Sequence, residues 1–118
     1  MFEESGLRSF SGDLSKLENG NRMFSGNTWL LRTFNSSLSS LSSGVSMFYG
    51  CMLDGDSVEK ILTTIPTYTS GTHELTIHAN ETYRSKIEQM LGTSLPSIGE
   101  KTVSYKGWTI KIALIVDN

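Results

Sequence analysis

Cysteine is almost absent. Cys51 stands alone among 118 residues, so neither an internal disulfide framework nor a multi-cysteine zinc site can form. Charge of one sign is absent too: 10 Lys and Arg face 12 Asp and Glu, for a net charge of -2 and a pI near 5.6. That balance offers no basic field to draw nucleic acid or anionic lipid. Long apolar runs are missing. The most apolar stretch, TIKIALIV over residues 109–116, is far too short to cross a bilayer as a helix and reads as a strand. The opening MFEESGLRSF carries acids where a secretory signal has its basic segment. The expectation is therefore a chain with no standard export signal and no membrane insertion.

What the sequence does contain is a repetition. LRSFSGDLSKLENGNRMFSG (residues 7–26) and LRTFNSSLSSLSSGVSMFYG (residues 31–50) say nearly the same thing 24 residues apart. Shifting residues 7–28 by 24 aligns Leu7 with Leu31, Arg8 with Arg32, Phe10 with Phe34, Leu14 with Leu38 and Leu17 with Leu41. Gly20 meets Gly44, Met23 meets Met47 and Phe24 meets Phe48. Ten of 22 columns are identical, against roughly one or two by chance. The opening MFEESGLRSF echoes MFSGNTWLLRTF, and Val58, Leu62 and Ile65 again fall 24 residues after Phe34, Leu38 and Leu41. One such unit cannot bury its own apolar ladder, and stacking units would. Gly20 and Gly44 then mark turns or places of close backbone approach. A helix over Leu38–Met52 is the competing reading, but Gly44, Gly50 and the serine-rich stretch over residues 36–43 disfavour it.

The pattern L-x-x-F-x-x-x-L-S-x-L-x-x-G-x-x-M-F-x-G-C resembles BspA-like leucine-rich repeats. MFYGC (residues 47–51) is similar to that family's A-F-x-x-C segment, and LDGDSVEKI with KGWTI resembles its closing unit. The expected fold class is α+β: a short leucine-rich-repeat-like solenoid of two to three 24-residue coils with an α/β C-terminal cap. Residues 1–118 are expected to form a single domain, with repeat coils over 1–54 and a capping unit over 55–118. The resemblance implies a role in surface attachment.

The cap has its own signals. Asp56 followed by Glu59 suggests a capping box, and Pro66 should stop that helix after Ile65. HELTIHA (residues 73–79) alternates as a strand with Leu75 and Ile77 inward. Asn80 should cap a second helix with Tyr83, Ile87, Met90 and Leu91 on its apolar face, ended by Gly92. Lys106-Gly107 suggests a hairpin turn or bulge before a last strand that presents Trp108, Ile110, Ile112 and Leu114 to one side.

Signals for chemistry are weak. His73 and His78 are five apart on a strand and point to opposite faces, so they do not share a metal. Asp54, Asp56 and Glu59 are too few for a calcium loop, and the next acid is Glu74. Cys51 falls at a core position of the repeat with no histidine placed beside it. Asn35-Ser36-Ser37 and Asn80-Glu81-Thr82 match the glycosylation pattern, and without an export signal both read as accidental. The expectation is a non-enzymatic protein with no cofactor and no metal.

What remains is a repeated polar surface. With Phe10 and Phe34 inward, Ser9, Ser11 and Asp13 line up with Thr33, Asn35 and Ser37 on the outside, flanked by Arg8 and Arg32. These eight residues are the candidate ligand-binding set. The expected function is surface recognition or adhesion, with a protein or glycan on a cell surface, or neighbouring repeats or virion proteins at the uncapped N-terminal edge, as partner and no nucleic acid. A phage virion or tail component and an intracellular inhibitor docking through the N-terminal edge are the alternatives. The expected location is the cell surface or a virion, with the cytoplasm left open.

Overall fold

Two three-residue strands, β1 (Ser9–Ser11) and β2 (Thr33–Asn35), lie parallel, with Ser9 opposite Thr33, Phe10 opposite Phe34 and Ser11 opposite Asn35. In the computed structural model, which describes residues 6–26 and 31–116, the 24-residue spacing is thus a hydrogen-bonding register. Asn19 bridges Ser43 in parallel at the same offset. The echo of the opening involves residues 1–5 and 27–30, outside the described residues.

A second sheet holds four strands. They are β3 (Gly44–Leu53), β4 (Glu74–Asn80), β5 (Glu100–Tyr105) and β6 (Trp108–Ile115), in the order β3-β4-β6-β5. β4 runs parallel to β3 and to β6, whereas β5 and β6 form an antiparallel hairpin. The far edge of β3 is also occupied. The N–H groups of Gly20, Arg22, Phe24 and Gly26 donate to the carbonyls of Ser43, Val45, Met47 and Tyr49, satisfying alternate residues as a parallel neighbour does.

This architecture corrects the expected fold class. The described residues form a small α+β structure of two sheets and two helices, not a short leucine-rich-repeat solenoid. The finding that overturns the solenoid is the change of element after the second unit. Val58, Leu62 and Ile65, the third set of apolar positions, lie on or at the end of helix α1 (Gly55–Thr64) and are fully buried. The larger sheet then closes with a hairpin. Acidic and β-poor residues 54–60 favour a helix where the first two units have short strands.

Asp54 starts α1. Its backbone is extended and its Oδ1 accepts from Ser57 N at 2.8 Å, so the expected capping by Asp56 moves two residues earlier. Asp56 and Glu59 instead hold Lys86 Nζ, at 2.6 and 3.1 Å. Ile65 ends the helix in extended backbone ahead of Pro66, as the proline ring requires. Asn80 Oδ1 accepts from Thr82 N at 3.0 Å and caps a 3-10 turn (Glu81–Tyr83) leading into α2 (Arg84–Leu91). Gly92 closes α2 in the left-handed region. Arg84 binds the Glu81 and Glu88 carboxylates and the carbonyls of Leu95 and Pro96, so the segment after α2 is tied back to the helix.

One core cluster extends from Met23 to Leu114. Four phenylalanine rings alternate, three within the cluster and the partly buried Phe10 packed against it. Phe10 stacks on Phe34 at 5.8 Å and Phe24 on Phe48 at 5.4 Å, with edge contacts of 5.1–5.5 Å between the two pairs, the offset and T-shaped geometries that aromatic quadrupoles favour. Gly20 and Gly44 serve close approach, not a turn. A Cβ on Gly20 would sit 2.7 Å from Met47 Sδ, and one on Gly44 2.6 Å from Leu75 Cδ1.

Candidate functional site

Strand alternation places Phe10 and Phe34 in the core and turns their neighbours outward. Ser9, Ser11, Thr33 and Asn35 are all exposed, and the register sets Ser9 beside Thr33 and Ser11 beside Asn35. This small ladder brings four of the eight candidate residues together. Arg8 and Arg32 flank it, both exposed, with Arg32 N donating to Arg8 O at 3.0 Å.

Asp13 and Ser37 depart from the row. Asp13 Oδ1 accepts from Ser15 Oγ at 2.6 Å and from Ser15 N at 3.0 Å. These bonds, the hydroxyl's first, hold its carboxyl below the usual carboxylate range. The residue is committed to its own turn. Ser37 is half-buried, and its neighbour Ser36 is buried with Oγ donating to Gly12 O at 2.6 Å and accepting from Leu14 N at 3.2 Å. That serine pins the first unit to the second.

The polar row runs into a cleft. Between β2 and the first turns of α1 lies a cavity of about 300 Å³, lined by Thr33 and Asn35 on one side and by Asp54, Asp56, Ser57 and Lys60 on the other. Two bonds fix its walls. Ser57 Oγ accepts from Phe34 N at 2.7 Å, and Asp54 N donates to Arg32 O at 2.8 Å. The Lys86 ammonium, raised above its ordinary range first by Asp56 and then by Glu59, offsets the acidic charge on the rim. The cleft therefore offers hydroxyls, an amide, carboxylates and an ammonium, donors and acceptors together.

Ser57 and Lys60 were not expected at a site. Ser57 carried a signal, a 24-residue step from Thr33 to the equivalent place in the next unit, whereas Lys60 carried none. Asp54 and Asp56 stood out in the sequence as a rejected calcium pair, and Asp56 also as a helix cap. Among the described residues no group of three or more His, Cys, Asp and Glu is placed to hold a metal ion. No helix there is long and apolar enough to cross a membrane.

The reactive side chains lie elsewhere. Cys51 is fully buried, its Sγ is 3.5 Å from Phe24 O, and burial pushes the thiol up to about 12, which suppresses the nucleophilic thiolate. His78 is buried on β4. Gly50 N donates to its Nδ1 at 3.0 Å, so the proton sits on Nε2, which lies 2.9 Å from Glu100 Oε2. His73 precedes β4, and its ring contacts the carbonyls of Ser42 and Ser70. Asn80 of the second glycosylation pattern is buried and engaged as a cap.

No family model, no curated protein and no solved structure matches this chain.

Proposed function

We propose that this protein is a non-enzymatic recognition module that binds a glycan through the polar ladder and the cleft beside it. The observation that carries the reading is the registered row Ser9–Thr33 and Ser11–Asn35 opening into the cavity against α1. Short hydroxyl and amide side chains present donors and acceptors at little cost in ordering entropy, and a cavity of about 300 Å³ is at the small end of ligand sites. The buried, protonated Cys51 and the engaged His78 leave the site without an activated nucleophile, which favours binding over turnover.

The test is binding of the purified chain to an immobilised panel of neutral and acidic glycans, repeated with Thr33→Arg and Asn35→Arg. Selective binding to part of the panel, lost in both variants, supports the reading. No selective binding, or binding that both variants retain, refutes it. Selective capture of a protein in place of any glycan would move the assignment to a protein ligand.

A further inference from the structure

Among the described residues, the larger sheet has one open edge, β5. Its only strand neighbour is β6, whereas the opposite edge, β3, is covered by the N–H groups of Gly20, Arg22, Phe24 and Gly26. The hairpin turn fixes which backbone groups of β5 face outward. Lys106 and Gly107 lie at φ 56 and 84, the two positive values of a type I′ turn. The residues flanking such a two-residue turn form a hydrogen-bonded pair, here Tyr105 with Trp108. Alternation makes Val103 with Ile110 and Lys101 with Ile112 the next hydrogen-bonded pairs. The N–H and C=O groups of Glu100, Thr102 and Ser104 therefore point away from β6. None of these three residues makes a backbone bond to another part of the described chain.

Such an edge is ordinarily blunted by a bulge, a proline or charge along its length. The register of β5 against β6 runs unbroken from Glu100 to Tyr105, while β3 carries two register shifts. β5 holds no proline, and its charged residues, Glu100 and Lys101, stand together at its entrance. Both are engaged within the chain. Glu100 Oε2 lies 2.9 Å from His78 Nε2, and Lys101 Nζ donates to Thr93 Oγ1 at 2.9 Å and to Ser94 O at 2.8 Å. The rest of the strand, Thr102 to Tyr105, is uncharged and rich in strand-forming residues.

We infer that β5 pairs antiparallel with β5 of a second copy about a two-fold axis at Thr102, joining two four-stranded sheets into one. The axis sets Thr102 of one copy opposite Thr102 of the other, and Glu100 opposite Ser104. These are the residues whose backbone groups face outward, so each pair exchanges two backbone bonds. The side chains agree with that register. Thr–Thr and Glu–Ser pairs bring no like charges together, and Lys101 falls opposite Val103. Ile98, two residues ahead of β5, is 90% exposed, the most exposed large apolar side chain among the described residues. The two-fold carries it to the end of the other strand, where the half-buried Tyr105 stands. A strand that matches itself in backbone, charge and shape favours a second copy over an unrelated strand.

The experiment is sedimentation of the full chain from about 10 μM to 1 mM, joined to hydrogen exchange of the backbone amides. The samples are the wild type, Thr102→Lys, Thr102→Glu and an equal mixture of the two variants. The Thr102 side chain is exposed and its backbone groups do not hold the hairpin, so both variants should fold. The expected result is a wild-type dimer that dissociates on dilution, with the Thr102 and Ser104 amides protected only at high concentration. Each variant alone should associate about fivefold or more weakly, because like charges meet across the axis. The mixture should recover the association, since opposite charges then meet. A wild type that stays monomeric, growth into open assemblies without a closed dimer, a dimer whose Thr102 and Ser104 amides exchange freely, or a mixture that pairs no better than its components would overturn the inference. Should a variant fail to fold, the wild-type sedimentation and amide exchange decide.

Discussion

Replacing Gly107 by alanine should damage this fold far more than the same change at Gly92, although both glycines have positive φ. Gly92 ends α2 at φ 72 with nothing within 4 Å of a built Cβ. Alanine there meets only the left-handed backbone penalty, about 1–2 kcal/mol. Gly107 is at φ 84 in the two-residue turn of the β5–β6 hairpin, and its Cβ would lie 1.9 Å from Tyr68 O. Since that neighbour is backbone, no rotamer change relieves the overlap. The segment carrying Tyr68 must move, and the bond from Tyr68 N to Lys106 O is strained or lost, adding about 1 kcal/mol. Disturbed packing around Trp108 and His73 brings the total to roughly 3 kcal/mol or more. A domain of this size has about 5–15 kcal/mol in all. With a urea slope of about 1–1.5 kcal/mol/M, the midpoint should fall by roughly 2 M for Gly107→Ala and by about 1 M for Gly92→Ala. The assay is equilibrium urea unfolding followed by far-UV circular dichroism, with the slope compared across variants. Equal midpoint losses, or a larger loss for Gly92→Ala, would refute the close approach of the hairpin turn to Tyr68.

Two further predictions address α1 and the core thiol. Asp54→Ala should cost about 1 kcal/mol through loss of the helix cap, whereas Asp56→Ala, which removes one exposed partner of Lys86, should cost well under 1 kcal/mol. Thermal melts of the two variants separate the cap that is present from the one that the sequence suggested. Cys51 should resist a thiol reagent at pH 8 in the native protein and react fully once urea unfolds it, because burial holds the folded thiol up near 12. The unfolded thiol ionises near pH ~8.5, so its contribution to stability is complete below that value and is lost as pH rises toward the folded one. Native-state labelling at the unfolded rate would contradict the buried position.

The sequence was informative wherever a local rule acts on neighbouring residues. Pro66 ends α1 at Ile65, Gly92 ends α2, and Lys106-Gly107 forms the hairpin turn, because φ/ψ restrictions belong to the residues themselves. The 24-residue spacing likewise appears directly as the pairing of Ser9 with Thr33 and Phe10 with Phe34. It was misleading about what surrounds that pairing. The apolar skeleton of Val58, Leu62 and Ile65 fits the same spacing as a strand-and-turn unit, yet it lies along α1. Spacing identifies which side chains face the core but does not by itself choose the backbone that carries them. Half of the candidate site was visible for the same reason. Thr33 and Asn35 follow from strand alternation, but the opposing wall of Asp54, Ser57 and Lys60 exists only because α1 packs beside β2.

By itself, then, the order of residues determined which side chains are buried, where the turns fall and which positions of the two units meet, since these depend on polarity, backbone freedom and period. The tertiary structure alone decided that α1 packs beside β2 to wall the cleft, and that His73 faces two carbonyls while His78 faces an N–H and a carboxylate. Apart from His73 with Ser70, those contacts join residues 22 to 31 positions apart, and no local preference of the chain specifies what a side chain will meet across that distance.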